Sequence, residues 1–324
     1  MKKLLLILGT TSTGKTDLAL ELAKKFNGEL VACDSRQVYK GLDLGTGKMP
    51  SLESRIKNQE SSVNKNNGFW IIDGVKIWMY DVANPKRQYD VSKYISKANQ
   101  VIDQIEKQRK LPIIVGGTGL YIKGLLFGFS NIGITIDKKL RKELERLSLQ
   151  DLQNKLQKLA SEKWKLMNNS DRQNSRRLIR AIEIATQPKK RSKVEDLRIN
   201  NFDMLKIGLS APREILYKRI DERVIARINQ GMIAEAEDLQ IRGLSLKRMR
   251  QLGLEYGVLA DFLEKKINKE ELIKILQGKI HRFARHQITW FKREKDVRWF
   301  DITEKDLVDK VEKVVSKWYY SFDA

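Results

Sequence analysis

The sequence predicts an α/β fold: a parallel sheet flanked by helices, with an all-helical insertion. Three observations predict it. Short apolar runs alternate with amphipathic helical spacing through the first third of the chain. Near residue 131 the pattern changes to Leu, Lys, Glu and Gln at helical spacing, and beyond residue 200 strand-like runs return. Strands that alternate with helices pair in parallel through helical crossovers.

Leu4–Leu8 is a wholly apolar run, read as a buried strand that stops at Gly9. Leu18, Leu22 and Phe26 then fall at helical spacing. Glu29–Cys33 is a second short strand ending at Asp34, and the Asn/Ser/Lys-rich stretch 51–68 reads as a surface loop. Val75–Tyr80 alternates as a third strand. Between Ser92 and Lys107, Ile95, Ala98, Ile102 and Ile105 share one helix face. Leu111–Val115 is a strand running into Gly116-Gly117-Thr118-Gly119. Asp137–Trp164 is helical, and a basic helix over 172–186 ends at Pro188. Lys206–Ser210 rejoins the sheet, long helices follow, and Val297–Asp301 is the last strand. The expected division is a sheet core of residues 1–130 and 201–324 around an insertion of 131–200, with no internal repeat.

Composition narrows the functional classes. The chain has 324 residues, 41% of them hydrophobic, and 63 Lys+Arg against 41 Asp+Glu, a formal net charge of +22. That suits a globular protein of about two domains and is neither disordered nor fibrous. Met1–Leu8 imitates a signal peptide but is too short and lacks a cleavage site, and no apolar run approaches the roughly 20 residues of a membrane helix. One cysteine and two histidines exclude a disulfide framework and a Cys- or His-rich metal centre. The expectation is a cytoplasmic protein, monomeric by default, with a polyanionic partner. Residues 171–193 hold eight Lys/Arg, and 281–299 interleave six cations with Phe283, Trp290, Phe291 and Trp299. These rings suit unstacked bases or belong to the core; sequence leaves both readings open.

Gly9-Thr10-Thr11-Ser12-Thr13-Gly14-Lys15-Thr16 fits the phosphate-loop pattern G-x-x-x-x-G-K-[ST], with the required strand before and helix after. The fold expected is therefore P-loop NTPase-like. The glycines let backbone N–H groups turn inward at a helix N-terminus, Lys15 adds a charge on the outer phosphate, and Thr16 offers a hydroxyl to Mg²⁺. Nucleotide-hydrolysing relatives of such loops place an acid after a second apolar strand, yet Leu111–Val115 ends in Gly-Gly-Thr. Asp81 is one substitute. Asp34 is an acid of another kind: it stands at a C-terminal strand end, where ligands of open parallel sheets bind, and is expected to face one crevice with Lys15, Thr16 and Thr118. It reads equally well as a turn or helix cap.

With the loop, the run Asp34-Ser35-Arg36-Gln37-Val38-Tyr39-Lys40-Gly41-Leu42-Asp43-Leu44-Gly45-Thr46-Gly47-Lys48 resembles the tRNA dimethylallyltransferases (tRNA isopentenyltransferases). So do Gly116–Tyr121, Arg177–Glu183 and Arg285–Phe291, in family order over nearly the whole chain. The resemblance implies transfer of a dimethylallyl group from its diphosphate to N6 of the adenosine 3′ to the anticodon, with Mg²⁺ as cofactor. It implies that the loop Gly9–Thr16 holds the diphosphate, that Asp34 takes the amine proton, and that an arginine in Arg219–Arg223 aids the leaving group, with Arg223 preferred over Arg219. It matches Asp34, Ser35, Arg36, Gln37, Thr118, Arg141, Arg176, Arg177, Arg180, Arg250 and Gly253 to contacts with the tRNA anticodon stem-loop. This chain departs from the family pattern at Thr10, where Pro is usual, and at Lys76–Tyr80, where a His-His-Leu run is common. The rival readings are a small-molecule or nucleotide kinase with ATP in the same loop, and a GTPase-like switch, for which no Asn-Lys-x-Asp motif is present.

Overall fold

The computed structural model describes residues 2–49, 62–128, 137–187 and 202–321. The apolar runs become strands: β1 (Lys2–Gly9), β2 (Gly28–Cys33), β3 (Val63–Asn66), β4 (Phe69–Ile72), β5 (Val75–Trp78), β6 (Leu111–Gly116), β7 (Phe202–Ser210) and β8 (Val297–Asp301). They form one sheet in the order β3-β4-β5-β2-β6-β1-β7-β8. Leu4–Leu8 of β1 are wholly buried, because this strand lies between β6 and β7 near the middle of the sheet.

The sheet is mostly parallel, as expected, with an antiparallel edge that the sequence reading did not include. β2, β5, β6, β1, β7 and β8 run parallel, whereas β3–β4 and β4–β5 are antiparallel. Two short turns build that edge, Asn67-Gly68 and Asp73-Gly74. The second has φ of +50° and +80°, the left-handed pair that matches the twist of a two-residue hairpin. The loop expected over 51–68 therefore ends in a strand; its portion 50–61 lies outside the described residues. β5 stops at Trp78, earlier than expected, because Met79 takes φ +71°.

The helices of the sheet unit are α1 (Lys15–Lys25), α2 (Val91–Lys107) and α3 (Gly119–Phe127) in its first half. Asp90 caps α2 by accepting from Lys93 N–H, and Tyr94, Ile95, Ala98, Val101, Ile102 and Ile105 form its buried face. The contacts of the chain divide it into two units, Met1–Leu126 with Ile199–Ala324, and Phe127–Arg198.

The second unit is helical where described: α4 (Lys138–Leu144), α5 (Leu149–Leu159), α6 (Ser161–Lys165), α7 (Asn169–Arg172) and α8 (Ser175–Thr186). Leu144, Leu152, Leu156, Leu178, Ile179 and Ile182 make its own small core. Pro188 and Lys189, Lys190, Arg191 and Lys193 lie outside the described residues. The sheet unit continues with α9 (Arg213–Asn229), α10 (Met232–Ile241), α11 (Leu246–Leu252), α12 (Leu254–Leu263), α13 (Lys269–Phe291) and α14 (Leu307–Tyr319). Among the described residues no helix is long and apolar enough to cross a membrane.

Candidate active site

β1 delivers the phosphate loop. Gly9 has φ +151°, and a Cβ there would sit 2.6 Å from the Leu209 carbonyl of β7, so only glycine lets the loop leave the strand at this point. Gly14, at φ +79°, turns the chain into α1, which opens at Lys15. Thr13 Oγ1 donates to the Thr10 carbonyl at 2.9 Å in the buried floor of the loop. The N–H groups at the start of a helix, with the helix dipole, make this end of α1 a seat for an anion. Lys15 Nζ donates to the Thr10 carbonyl. Burial and then the neighbouring Arg223 push its ammonium down to about 7, with Asp34 and Asp17 acting the other way.

α9 faces this loop with Arg219, Arg223 and Arg227, spaced i, i+4 and i+8 on one stripe. Burial, followed by Arg227, holds Arg223 below the ordinary arginine range against the pull of Asp17 and Glu255. Burial lowers Arg227 too, opposed first by Glu255. Gly47 admits both guanidinium groups: a Cβ there would meet Arg227 and stand 2.5 Å from Arg223 Nη2. Two cavities share the wall made by Lys15, Thr16, Gly47, Arg223 and Arg227. The first extends past Arg219 to Leu20, Leu44 and Ile72; the second reaches Asp34, Gln37, Tyr80, Phe283 and Gln287.

Asp34 follows β2 and combines the two roles that sequence left open. Its Oδ1 accepts from Arg36 N–H at 2.8 Å and Gln37 N–H at 3.2 Å, fixing the turn, and the residue lines the second cavity with Lys15. Ser35 N–H donates to Thr118 Oγ1 at 3.2 Å. Arg36 Nε donates to the Leu252 carbonyl at 3.0 Å, and its guanidinium lies 5.7 Å from the Phe283 ring. Gly253 sits beside it, where a Cβ would lie 3.4 Å from Arg36 Nη2. Gln37 Nε2 donates to the carbonyls of Thr46 and Gly47 at 3.3 and 3.4 Å. Asp34–Gln37, Thr118 and Gly253 therefore gather with the phosphate loop.

The remaining expected residues stand elsewhere. Arg250 is engaged by Asp261 and Glu264, with Nε and Nη2 at 3.0 and 2.9 Å from Asp261 Oδ1. In the second unit Arg141 makes a two-pronged pair with the wholly buried Glu183, at 2.8 and 2.7 Å, and Arg180 joins it at 3.3 Å. Arg177 pairs with Asp171, while Arg176 is exposed. Asp81, offered as a metal-holding acid, is instead spent on the core: Oδ1 accepts from the buried Lys48 at 2.5 Å and Oδ2 from Trp70 Nε1 at 2.7 Å. The aromatic patch divides. Phe291 is core, Phe283 lines the second cavity, Trp290 packs over Gly119, and Trp299 is 42% exposed.

Three contributors went unassigned from sequence. Buried Gln287 of α13 accepts from Thr11 N–H and donates to the Gly117 carbonyl, both at 2.9 Å, tying the phosphate loop to the end of β6. Glu235 of α10 accepts from the N–H groups of Asp43, Leu44 and Gly45 at 2.7–3.1 Å and from Tyr256 OH at 2.6 Å, gripping the loop that carries Gly47. Arg227 is the third, and its i+4 spacing from Arg223 was the available signal.

The donor set suits a cation that brings most of its own ligands. Among the described residues no three His, Cys, Asp or Glu side chains gather as a metal cage. Mg²⁺ keeps several waters and phosphate oxygens and asks for few protein ligands. The Thr16 hydroxyl, in the first turn of α1 and lining both cavities, fits an ion that arrives with a diphosphate.

Comparison with known proteins gives one consistent answer. The family model described as IPP transferase matches residues 37–294, and an isopentenyl transferase model matches 2–61. A tRNA dimethylallyltransferase from Halothermothrix orenii is 34% identical over 311 residues, 94% of this chain and 88% of that protein. The crystal structure of the full-length tRNA isopentenylpyrophosphate transferase from Bacillus halodurans is 31% identical, with a TM-score of 0.68 over 98% of this chain and 97% of that one. A eukaryotic dimethylallyltransferase, described as acting on tRNA, shares the fold at a TM-score of 0.78 and 23% identity, over 98% of this chain and 79% of that one.

Proposed function

The chain belongs to the IPP transferase family, and from that premise we propose that it transfers the dimethylallyl group of dimethylallyl diphosphate to N6 of the tRNA adenosine 3′ to the anticodon. One observation carries the chemistry: an anion seat and a carboxylate line one cavity, Lys15 and Thr16 with Asp34, and Arg223 completes its wall. The family does not favour the kinase alternative, in which ATP would fill the same loop.

The donor's diphosphate lies in the nest of Gly9–Thr16, with Lys15 and Arg223 on its oxygens. Thr16 would hold a Mg²⁺ that arrives with the donor, and that ion would supply further neutralisation of the departing charge. The allylic C1–O bond breaks as charge collects on the diphosphate, where these fixed groups wait for it. The adenine amine is a weak nucleophile, its lone pair being shared with the ring. Its nitrogen forms the bond to C1 while Asp34 accepts the N6 proton, so diphosphate and prenylated adenosine result. Between Arg223 and Arg219, we assign the leaving-group contact to Arg223, because it lines both cavities and is the charge nearest in effect to Lys15.

The base must leave the anticodon stack to reach this cavity. The turn Asp34–Gln37, Thr118 and Gly253 line its path, and Arg176, exposed on α8, with Arg177 and Arg180 of the same helix, serves the backbone phosphates. Arg141 supports that surface through Glu183. We read the protein as a cytoplasmic enzyme and, by default, a monomer.

The test is direct: purified protein, unmodified tRNA, Mg²⁺ and labelled dimethylallyl diphosphate. Label on the adenosine is expected. Consumption of ATP with no transfer of label sinks the reading.

A further inference from the structure

We propose that Arg227 is a third cationic contact for the donor's diphosphate, held in readiness by Glu255. The proposal rests on the dimethylallyl-transfer reading above. It starts from geometry. Arg227 lies one turn beyond Arg223 on the same stripe of α9, and both guanidinium groups lie against the backbone of Gly47. Arg227 lines both cavities together with Lys15 and Thr16. Its side chain is only 11% exposed, yet its fixed partners hold it loosely. Nη1 stands 3.6 Å from Glu255 Oε1, an ion pair outside hydrogen-bond range, and 3.4 Å from the Gly45 carbonyl.

Packing a third cation beside Lys15 and Arg223 is costly for the empty protein. Each depresses its neighbour, Arg223 acting on Lys15 and Arg227 on Arg223. A guanidinium offers five donors in a planar fork suited to phosphate oxygens, and Glu255 and Gly45 occupy only one edge of it. A diphosphate seated in the loop relieves the repulsion among all three cations at once. Glu255 is then a tether: it keeps Arg227 charged and aimed at Gly47 while the seat is vacant, and its looseness leaves the fork available.

The competing account is that Arg227 merely neutralises Glu255, which is itself buried. Two full-length variants separate the accounts. R227M removes the cation and leaves Glu255 unpaired; R227M/E255Q removes both charges and so removes any structural need for the pair. Inorganic diphosphate with Mg²⁺ is titrated calorimetrically into each, and thermal unfolding checks the fold. Both variants are expected to bind about 10- to 100-fold more weakly than the parent, with cooperative unfolding in the double variant. Wild-type affinity in R227M/E255Q overturns the proposal, because Arg227 then served only Glu255; so does wild-type affinity in R227M alone. If the parent protein itself fails to bind diphosphate, the donor reading on which the proposal rests falls with it.

Discussion

Replacing Asp34 with Asn separates its two roles. The turn depends on one oxygen, Oδ1, which accepts from Arg36 and Gln37 N–H at 2.8 and 3.2 Å. Asn keeps a carbonyl oxygen at that place, so the turn survives, but it has no basicity with which to take the N6 proton. Loss of a positioned general base lowers transfer about 10²- to 10⁴-fold, or about 3–5 kcal/mol of barrier. Asp34→Ala removes the turn contacts as well, at about 0.5–1.5 kcal/mol for each hydrogen bond. In a chain of this size each kcal/mol lowers Tm by roughly 1–2 °C. The assay is single-turnover transfer of labelled dimethylallyl to unmodified tRNA with enzyme in excess, beside a thermal melt and a tRNA-binding isotherm. Asp34→Asn should lose transfer, melt near the parent and bind tRNA within a few-fold of it; Asp34→Ala should lose transfer and melt lower. An Asp34→Asn variant that transfers at the parent rate refutes the proton-acceptor role and leaves the residue as scaffold.

Other outcomes follow from the same geometry. Lys15→Ala should weaken the donor, and in the parent an incoming diphosphate should take up a proton above about pH 7, because the free ammonium is held down to about 7. Calorimetry in buffers of different ionisation enthalpy reads that uptake, which should vanish in the variant. The sign for folding is the reverse: from about pH 7 upward the unfolded chain keeps the Lys15 proton that the folded one releases, so this residue's share of stability rises with pH toward the ordinary lysine value of 10.5. Gly47→Ala should raise the donor KM while sparing tRNA affinity, since the new methyl group displaces two guanidinium groups and φ +67° is itself strained by about 1 kcal/mol. Gln287→Leu leaves Thr11 N–H and the Gly117 carbonyl unpaired, and should cost about 1–3 kcal/mol by thermal denaturation. Affinity for tRNA should fall steeply between low and moderate salt, and diphosphate affinity less so.

Much of this was legible wherever the signal is local. Leu4–Leu8, the loop Gly9–Thr16 and the helix after it are contiguous, and each residue type declares its task. The antiparallel edge went unread although Asn67-Gly68 and Asp73-Gly74 are strong hairpin signals; the Asn/Ser/Lys-rich neighbourhood masked them, and the strands they join have four residues each. Asp81 follows a strand as a metal-holding acid does, and its partners Lys48 and Trp70, 33 and 11 residues away, show that it is occupied. Glu235 and Gln287 act at separations of about 190 and 276 residues, which no local pattern encodes. Asp34 could not be divided between turn and crevice because one side chain both fixes the turn and lines the cavity.

The central placement of β1 bears on how the protein is made. A ribosome releases the phosphate loop first, but Leu209 of β7, against which Gly9 packs, and Gln287 of α13, which holds Thr11, emerge much later. At about 5–20 residues per second, the 276 residues between Thr11 and Gln287 take on the order of 15–55 s to appear. Through that interval the nascent chain carries the loop's sequence without its braces. The braces of the anion seat are thus laid down only once residue 287 has been made, long after the loop they hold.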